Sequence, residues 1–251
     1  MNIFVLSAGI GSRLYPLTKN TPKSILDLGD GTTLAERLLS AASHASHKID
    51  SVYFITGYRS EQIEAKIKEY PTDLTVKTIY NPFYRETNNL VSVWCSQPYI
   101  KEKDFIISNG DNIYSEDLVT KVLSQVDEEE GFFLLTSTAE AYDDDTMKVT
   151  FDKKGNVQFV SKKIEMDKVQ AESIGFFMVR GEKYRHIFQK KVSEIVRDPE
   201  YLNRFWLEII NSLINDGVMI QPLEVSGNDW SEMDFHPDMN VIKDNIKNRL
   251  I

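Results

Sequence analysis

The stretch Leu6–Lys23, LSAGIGSRLYPLTKNTPK, decides how the rest of the chain is read. It follows from Asn2-Ile3-Phe4-Val5-Leu6, an apolar, β-rich run of the kind that forms a strand buried on both faces. Gly9 and Gly11 let the backbone take turns and close approaches that a Cβ forbids, so successive N–H groups can point at an anion. Arg13 stands two residues past the second glycine and Lys23 ten residues further on, two cations placed to close on a polyphosphate from different sides. Pro16 and Pro22 stiffen the path between them. The glycines alone leave two readings open. Gly9-x-Gly11 followed by Leu14 fits neither the dinucleotide fingerprint nor a P-loop, and a tight strand-to-helix turn with surface cations would carry the same glycines.

Length and composition set the bounds. With 251 residues, 41% hydrophobic and 27% charged, the chain has the make-up of a single α/β domain with a sizeable core. A formal net charge of −9 argues against a nucleic acid or an anionic membrane as partner, because both require a basic footprint. Any anion must be gripped locally. The longest apolar runs fall far short of the ~20 residues that cross a bilayer, and the N-terminus enters a strand with no charged leader or cleavage site, so a cytoplasmic location is expected. Cys95, the sole cysteine, excludes an intrachain disulfide, and its setting in Val93-Trp94-Cys95 predicts a buried thiol rather than a nucleophile.

Beyond Lys23, an apolar stretch from Ser24 to Leu28 ends in the turn Gly29-Asp30-Gly31, and a helix opens at Leu34 with Thr33 as N-cap and Glu36 at the capping-box position. His44 and His47, three apart on that helix, read as a surface pair, since no acidic or thiol ligand accompanies them. Strands at Ser51–Ile55, Leu74–Tyr80 and Asp104–Ser108 alternate with helices at Glu61–Tyr70 and Leu90–Ser96. This alternation predicts an open, mostly parallel sheet wrapped by helices, with the loops after Leu6, Ile55, Tyr80 and Ile107 converging on one crevice. The adjacent amides Asn88 and Asn89 are helix caps or, because a carboxamide offers donor and acceptor together, readers of a pyrimidine edge; their place on the crevice favours a nucleobase contact for one of them.

Asp111, just past a buried strand and after Gly110, is placed as a Mg²⁺ ligand or in an Asx turn, and Asp234 in the C-terminal acidic loop supplies a second carboxylate. The acidic runs Asp127–Glu130 and Asp143–Asp145 read as a solvated helix end and a loop. From Met147 the pattern shifts to hairpins, Met147–Phe151 and Val157–Val160 around a turn, followed by a strand at Glu172–Val179. Residues about 137–175 therefore form a β-rich cap insertion, expected to hold a second substrate. Helices at Glu182–Lys191 and Tyr201–Leu213, a last strand at Ile220–Val225 and a final helix at Met239–Leu250 complete the reading.

Together these residues resemble a known family. Ala8-Gly9-x-Gly11-Ser12-Arg13 with Pro22-Lys23 is similar to the phosphate grip of the sugar-nucleotidyltransferase superfamily. Asn81-Pro82-Phe83-Tyr84 to Asn88-Asn89, Met147-Lys148-Val149, Val160-Ser161-Lys162 and Glu172-Ser173-Ile174-Gly175 resemble its bacterial CTP:phosphocholine cytidylyltransferase branch. Asn109-Gly110-Asp111 and Glu232-x-Asp234 resemble the two magnesium motifs. Two positions depart: Ser7 replaces the alanine usual before Ala8-Gly9, and Phe205-Trp206-Leu207-Glu208 keeps one acid where the group often has a pair.

The resemblance implies a Rossmann-like nucleotidyltransferase sheet and transfer of CMP from CTP to a small phosphorylated acceptor of a cell-surface polysaccharide or lipid pathway. It implies nucleotide contacts from Ser7, Ala8, Gly9, Gly11, Ser12, Arg13, Lys23, Tyr84, Asn88 and Asn89, and catalysis by Lys23, Arg13 and Asp111. Mg²⁺ would sit on Asp111 and Asp234, and Lys162, Glu172, Trp206 and Glu208 would touch the acceptor. A choline head group calls for an aromatic cage, for which Tyr84, Trp94, Tyr114, Trp206 and Trp230 are the candidates. Two other readings stay open: a sugar-1-phosphate nucleotidyltransferase using UTP, GTP or dTTP, and a nucleotide-binding regulatory subunit, against which the presence of both cations and both carboxylates counts. The acceptor and the oligomeric state, a homodimer included, also stay open.

Overall fold

Along the first strand, side chains alternate between two separate cores, and that alternation builds the molecule. The computed structural model describes residues 1–234 together with Asn240, Lys243 and Asp244. The chain runs β1 (Asn2–Ser7), α1 (Leu34–His44), β2 (Ser51–Thr56), α2 (Ser60–Glu69), β3 (Thr75–Tyr80), α3 (Asn89–Cys95), β4 (Phe105–Asn109), β5 (Asn112–Tyr114) and α4 (Leu118–Val126). It continues through β6 (Gly131–Ser137), β7 (Lys148–Phe151), β8 (Val157–Ser161), β9 (Ala171–Arg180), α5 (Glu182–Ile195), α6 (Glu208–Asn215), β10 (Gln221–Glu224) and β11 (Trp230–Glu232). Ile3, Val5, Ile106 and Met178 share one core with residues of α1, α2 and α4, while Phe4, Phe105, Ile107 and Phe177 share the other with residues of α3, α5 and α6. The sheet is thus covered on both faces, which is why its central strands read as continuous apolar runs.

The central order is β10-β6-β9-β4-β1-β2-β3. β1 is parallel to β2 and β4, β2 to β3, and β6 to β10, whereas β9 lies antiparallel between β4 and β6. β7 pairs with β9 and with β8, so the hairpin foreseen in the sequence hangs from the start of β9. β5 and β11 form a separate antiparallel ribbon. A third, small apolar cluster of Leu14, Leu26, Leu28, Leu34, Ile113 and Met233 ties that ribbon to the loop between β1 and α1.

The structure departs from the sequence reading in several places. α1 stops at His44, so His47 lies beyond it; His44 bonds the carbonyl of Ser40, 3.0 Å away, and faces Glu116. The segment before α6 is not helical through from Tyr201: a 3₁₀ turn at Pro199–Tyr201 is followed by a bend, and α6 starts only at Glu208. β10 is not the last strand, since β11 follows it. The helix expected at Met239–Leu250 lies outside the described residues.

The capping box forms as the sequence requires: Glu36 N–H donates to Thr33 Oγ1 (3.3 Å), and Thr33 N–H donates to Glu36 Oε2 (2.9 Å). Because α1 covers one face of the sheet, Thr33→Ala should cost about 1 kcal/mol and lower the melting temperature by about 2–4 °C. Calorimetry checks this, and an unchanged transition would remove the cap from the list of stabilising contacts.

Candidate active site

The carboxyl ends of β1 and β4 open onto a cavity of about 310 Å³. The loop that leaves β1 keeps its path through Gly11, whose φ of +68° suits glycine; a Cβ there would press within 3.1 Å of both Lys23 and Thr18. Thr18 Oγ1 donates to the carbonyl of Gly11 across the same turn at 2.8 Å. At Gly9 a Cβ would meet no atom within 4 Å among the described residues beyond its chain neighbours, so their packing makes no demand for glycine there.

Six side chains form a chain of alternating charge around the cavity. Lys23 Nζ lies 2.9 Å from Asp111 and 2.6 Å from Asp234. Arg13 reaches Asp234 at 2.6 Å and forks onto Asp145 Oδ2 and Oδ1 at 2.7 and 3.3 Å, and Lys162 donates to the same Oδ1 at 2.7 Å. Burial works to lower the Lys23 pKa, but the charges of Asp111 and Asp234 and their hydrogen bonds outweigh it and hold the ammonium above its usual value. Asp145 shows the converse: desolvation raises it, and Lys162 and Arg13 together bring it below the ordinary carboxylate range.

Asp111, Glu232 and Asp234 bring carboxylate oxygens within 4.8 Å of one another. Glu232 keeps much of its side chain open to solvent, with Asp111 and Asp234 beside its carboxyl. Its pKa is pushed up to about 8, by desolvation first and then by the negative charges of Asp111 and Asp234. Asp111 Oδ1 is buried and has no hydrogen-bond partner among the described residues. An all-oxygen set with an uncommitted buried carboxylate oxygen fits a hard divalent cation such as Mg²⁺.

Of the residues singled out in the sequence, Ser7, Gly9, Gly11, Ser12, Arg13, Lys23, Asn89, Asp111, Lys162, Trp206 and Asp234 line this one cavity. Ala8, Tyr84, Asn88, Glu172 and Glu208 do not. Ala8 is buried and its carbonyl accepts from Tyr58 N–H at 3.0 Å. Tyr84 lies against Gly57 and accepts from Arg85 at 3.0 Å. Asn88 caps α3, its carboxamide accepting from Asn89 N–H at 2.7 Å, so the cap reading holds for it. Glu208 opens α6. Asp145, which reads as a loop acid in the sequence, instead bridges Arg13 and Lys162; it is 132 residues from Arg13, and no local pattern signals the pairing. Glu232 joins the carboxylates two residues before Asp234, a spacing visible in the motif itself.

The chain matches the model of the nucleotidyl transferase family over residues 3–234. It is 27% identical over 267 aligned positions to a CTP:phosphoglutamine cytidylyltransferase of Campylobacter jejuni, covering 96% of this chain and 98% of that protein. Over 102 residues, 41% of each chain, it is 39% identical to a choline-phosphate cytidylyltransferase of Haemophilus influenzae. In structure it is similar to the inositol-1-phosphate CTP transferase from T. maritima, with a TM-score of 0.75, 19% identity and 98% and 96% of the two chains covered. It is also similar to the CTP:phosphocholine cytidylyltransferase from Streptococcus pneumoniae, with a TM-score of 0.72, 19% identity and 98% of both chains covered. These likenesses match the mixed, mostly parallel sheet described above.

Glu172 carries a pH signature of its own. It sits on β9 opposite Ser137 and Lys148, and burial, with the charge of Asp143 adding, pushes its carboxyl up to about 7. Between about pH 4.5 and 7 the folded protein therefore holds a proton that the unfolded chain has released, and stability falls as pH rises through that window. Glu172→Gln should flatten this part of the stability profile, as measured by denaturant unfolding at stepped pH; an unchanged slope would show that Glu172 ionises freely.

Proposed function

The chain belongs to the nucleotidyl transferase family, and from that footing we propose that it is a cytidylyltransferase, moving CMP from CTP to a small phosphorylated acceptor and releasing pyrophosphate. The observation that carries this reading is the chain of alternating charge on the cavity wall, which gathers Arg13, Lys23 and Lys162 at the carboxyl ends of parallel strands. The choice of cytidine is supported by the activity of the relative matched along its whole length.

An oxygen of the acceptor phosphate attacks the α-phosphorus of CTP in line, a new P–O bond forms, and the bond to pyrophosphate breaks. A phosphate monoester is largely ionised near neutral pH, its second pKa being about 6, so no general base is required. Lys23 meets the α-phosphate and the acceptor phosphate, and Arg13, with the backbone N–H groups of the loop, holds the β and γ groups. Asp111, Asp234 and Glu232 would hold Mg²⁺, which when bound supplies charge neutralisation between the reacting phosphates. The β7–β8 hairpin brings Lys162 to the cavity, on the side where the acceptor would enter.

The test is pyrophosphate release from CTP, UTP, GTP and dTTP with Mg²⁺, against small non-sugar phosphates and sugar 1-phosphates. Turnover with CTP and a non-sugar phosphate is the expected result, whereas turnover with a sugar 1-phosphate would replace this reading with the sugar-nucleotide one. Lys23→Ala and Asp111→Ala should each lower the rate on the order of 10²–10³-fold, and near-normal turnover in either would take that residue out of the mechanism. Chelation by EDTA should abolish release and added Mg²⁺ should restore it; activity that survives chelation would argue against the metal.

A further inference from the structure

The sequence pairs Trp206 with an acceptor head group, but the structure gives it other work. Its side chain is buried, at 1% exposure, and its ring packs against Phe177, so it offers no open face to an ammonium. Its two N–H groups are committed to two different loops. The indole Nε1–H donates to Asn109 Oδ1 at 2.9 Å, and the backbone N–H donates to Asn89 Oδ1 at 2.8 Å. Asn109 closes β4 two residues before Asp111, Asn89 opens α3 after the loop from β3, and both line the cavity.

Neither an indole N–H nor a backbone N–H can accept a hydrogen bond, so the atom facing each must be a carboxamide oxygen. The flip of both amides is thereby fixed by chemistry. Each keeps its NH₂ for something else, and neither NH₂ has a hydrogen-bond acceptor among the described residues. Gly175, across the same wall, has φ +67°, and a Cβ there would stand 2.3 Å from Asn109 Nδ2. Glycine leaves that NH₂ its place.

We propose that Trp206 is a positioning residue: it turns the carboxamides of Asn89 and Asn109 so that both present donors to a ligand whose facing groups are acceptor oxygens, phosphate or carbonyl. This rests on the cytidylyltransferase reading and deepens it, since the amide donors extend the wall of Arg13, Lys23 and Lys162. With the opposite flip, each asparagine would set a carbonyl oxygen against the same oxygens.

The test is a double-mutant cycle of Trp206→Phe, Asn109→Asp and the pair, read by kcat/KM for pyrophosphate release, by calorimetric CTP affinity with Mg²⁺, and by thermal unfolding. Trp206→Phe keeps an aromatic ring and the backbone donor but removes the indole N–H together with part of a buried ring, so a lowered melting temperature is expected from the cavity alone and the kinetics carry the test. The substitution should lower kcat/KM on the order of tenfold, because a small misplacement of a group facing the reacting phosphates is costly. Asn109→Asp replaces the NH₂ with an anionic oxygen and should lose on the order of a hundredfold. The double variant should be no worse than Asn109→Asp within about threefold, since Trp206 then has no donor left to orient. Losses that multiply, or wild-type kinetics in Trp206→Phe with a lowered melting temperature, would overturn the proposal and leave the tryptophan a packing residue. If the unaltered protein releases no pyrophosphate with any CTP and acceptor pair, the cytidylyltransferase reading falls, and the same cycle on CTP affinity still decides the role of Trp206.

Discussion

A lysine ammonium in a largely enclosed pocket, with 14% of its side chain exposed, exists only if carboxylates stand beside it, and the site is arranged around that constraint on Lys23. Asp111 and Asp234 meet the need, but they bring Glu232 with them, and three carboxylates in so small a space need cations in turn. Arg13 takes the far oxygen of Asp234 and extends the alternation to Asp145 and Lys162. The balance still falls on the negative side, and the charges of Asp111 and Asp234 add to desolvation, the larger cause, in pushing the carboxyl of Glu232 up to about 8. A polyphosphate entering this cavity adds further negative charge, so it must bring a cation with it or take Arg13, Lys23 and Lys162 from their present partners. In the proposed reaction, phosphate and metal binding would therefore be linked by the electrostatics of this site.

The charges can be held so closely because an apolar floor lies under them. Leu14 follows Arg13 in the chain, Ile113 lies two residues after Asp111, and Met233 stands between Glu232 and Asp234; all three are fully buried in one cluster with Leu26, Leu28 and Leu34. Arg13, Asp111, Glu232 and Asp234 are thus each next to, or two residues from, a residue whose burial fixes the local backbone. The β5–β11 ribbon serves the same end, since its pairing of Glu232 with Asn112 sets the two acidic segments side by side.

Much of this was legible in the sequence, because the signals were local. The apolar runs of β1, β2 and β4, the capping box at Thr33 and Glu36, and the glycine-bearing loop with its two cations each depend on a few consecutive residues. What escaped depends on tertiary contacts. Asp145 looks like any solvated loop acid until the β6–β7 connection lays it on Arg13, and Trp206 looks like a binding aromatic until its indole is found spent on Asn109. Asn88 and Asn89 carry the same side chain in adjacent positions, yet one closes on its own helix end while the other faces the cavity, a difference decided by where α3 begins.

The pairs around the cavity also differ in strength. Lys23 and Asp234 keep only 14% and 18% of their side chains exposed, whereas Arg13 and Asp145 keep 45% and 34%. Water weakens the second pair, and ion pairs of that exposure are worth about 0–1 kcal/mol, so the contact that ties the cap to the loop after β1 costs little to exchange. The floor pair cannot be exchanged on such terms, because removing either partner would strand a buried charge. The proposed phosphates would therefore meet a site in which the Arg13–Asp145 contact is the more exposed and the Lys23–Asp234 contact the more enclosed. On that reading Asp145 would yield Arg13 to an incoming phosphate more readily than Asp234 would yield Lys23.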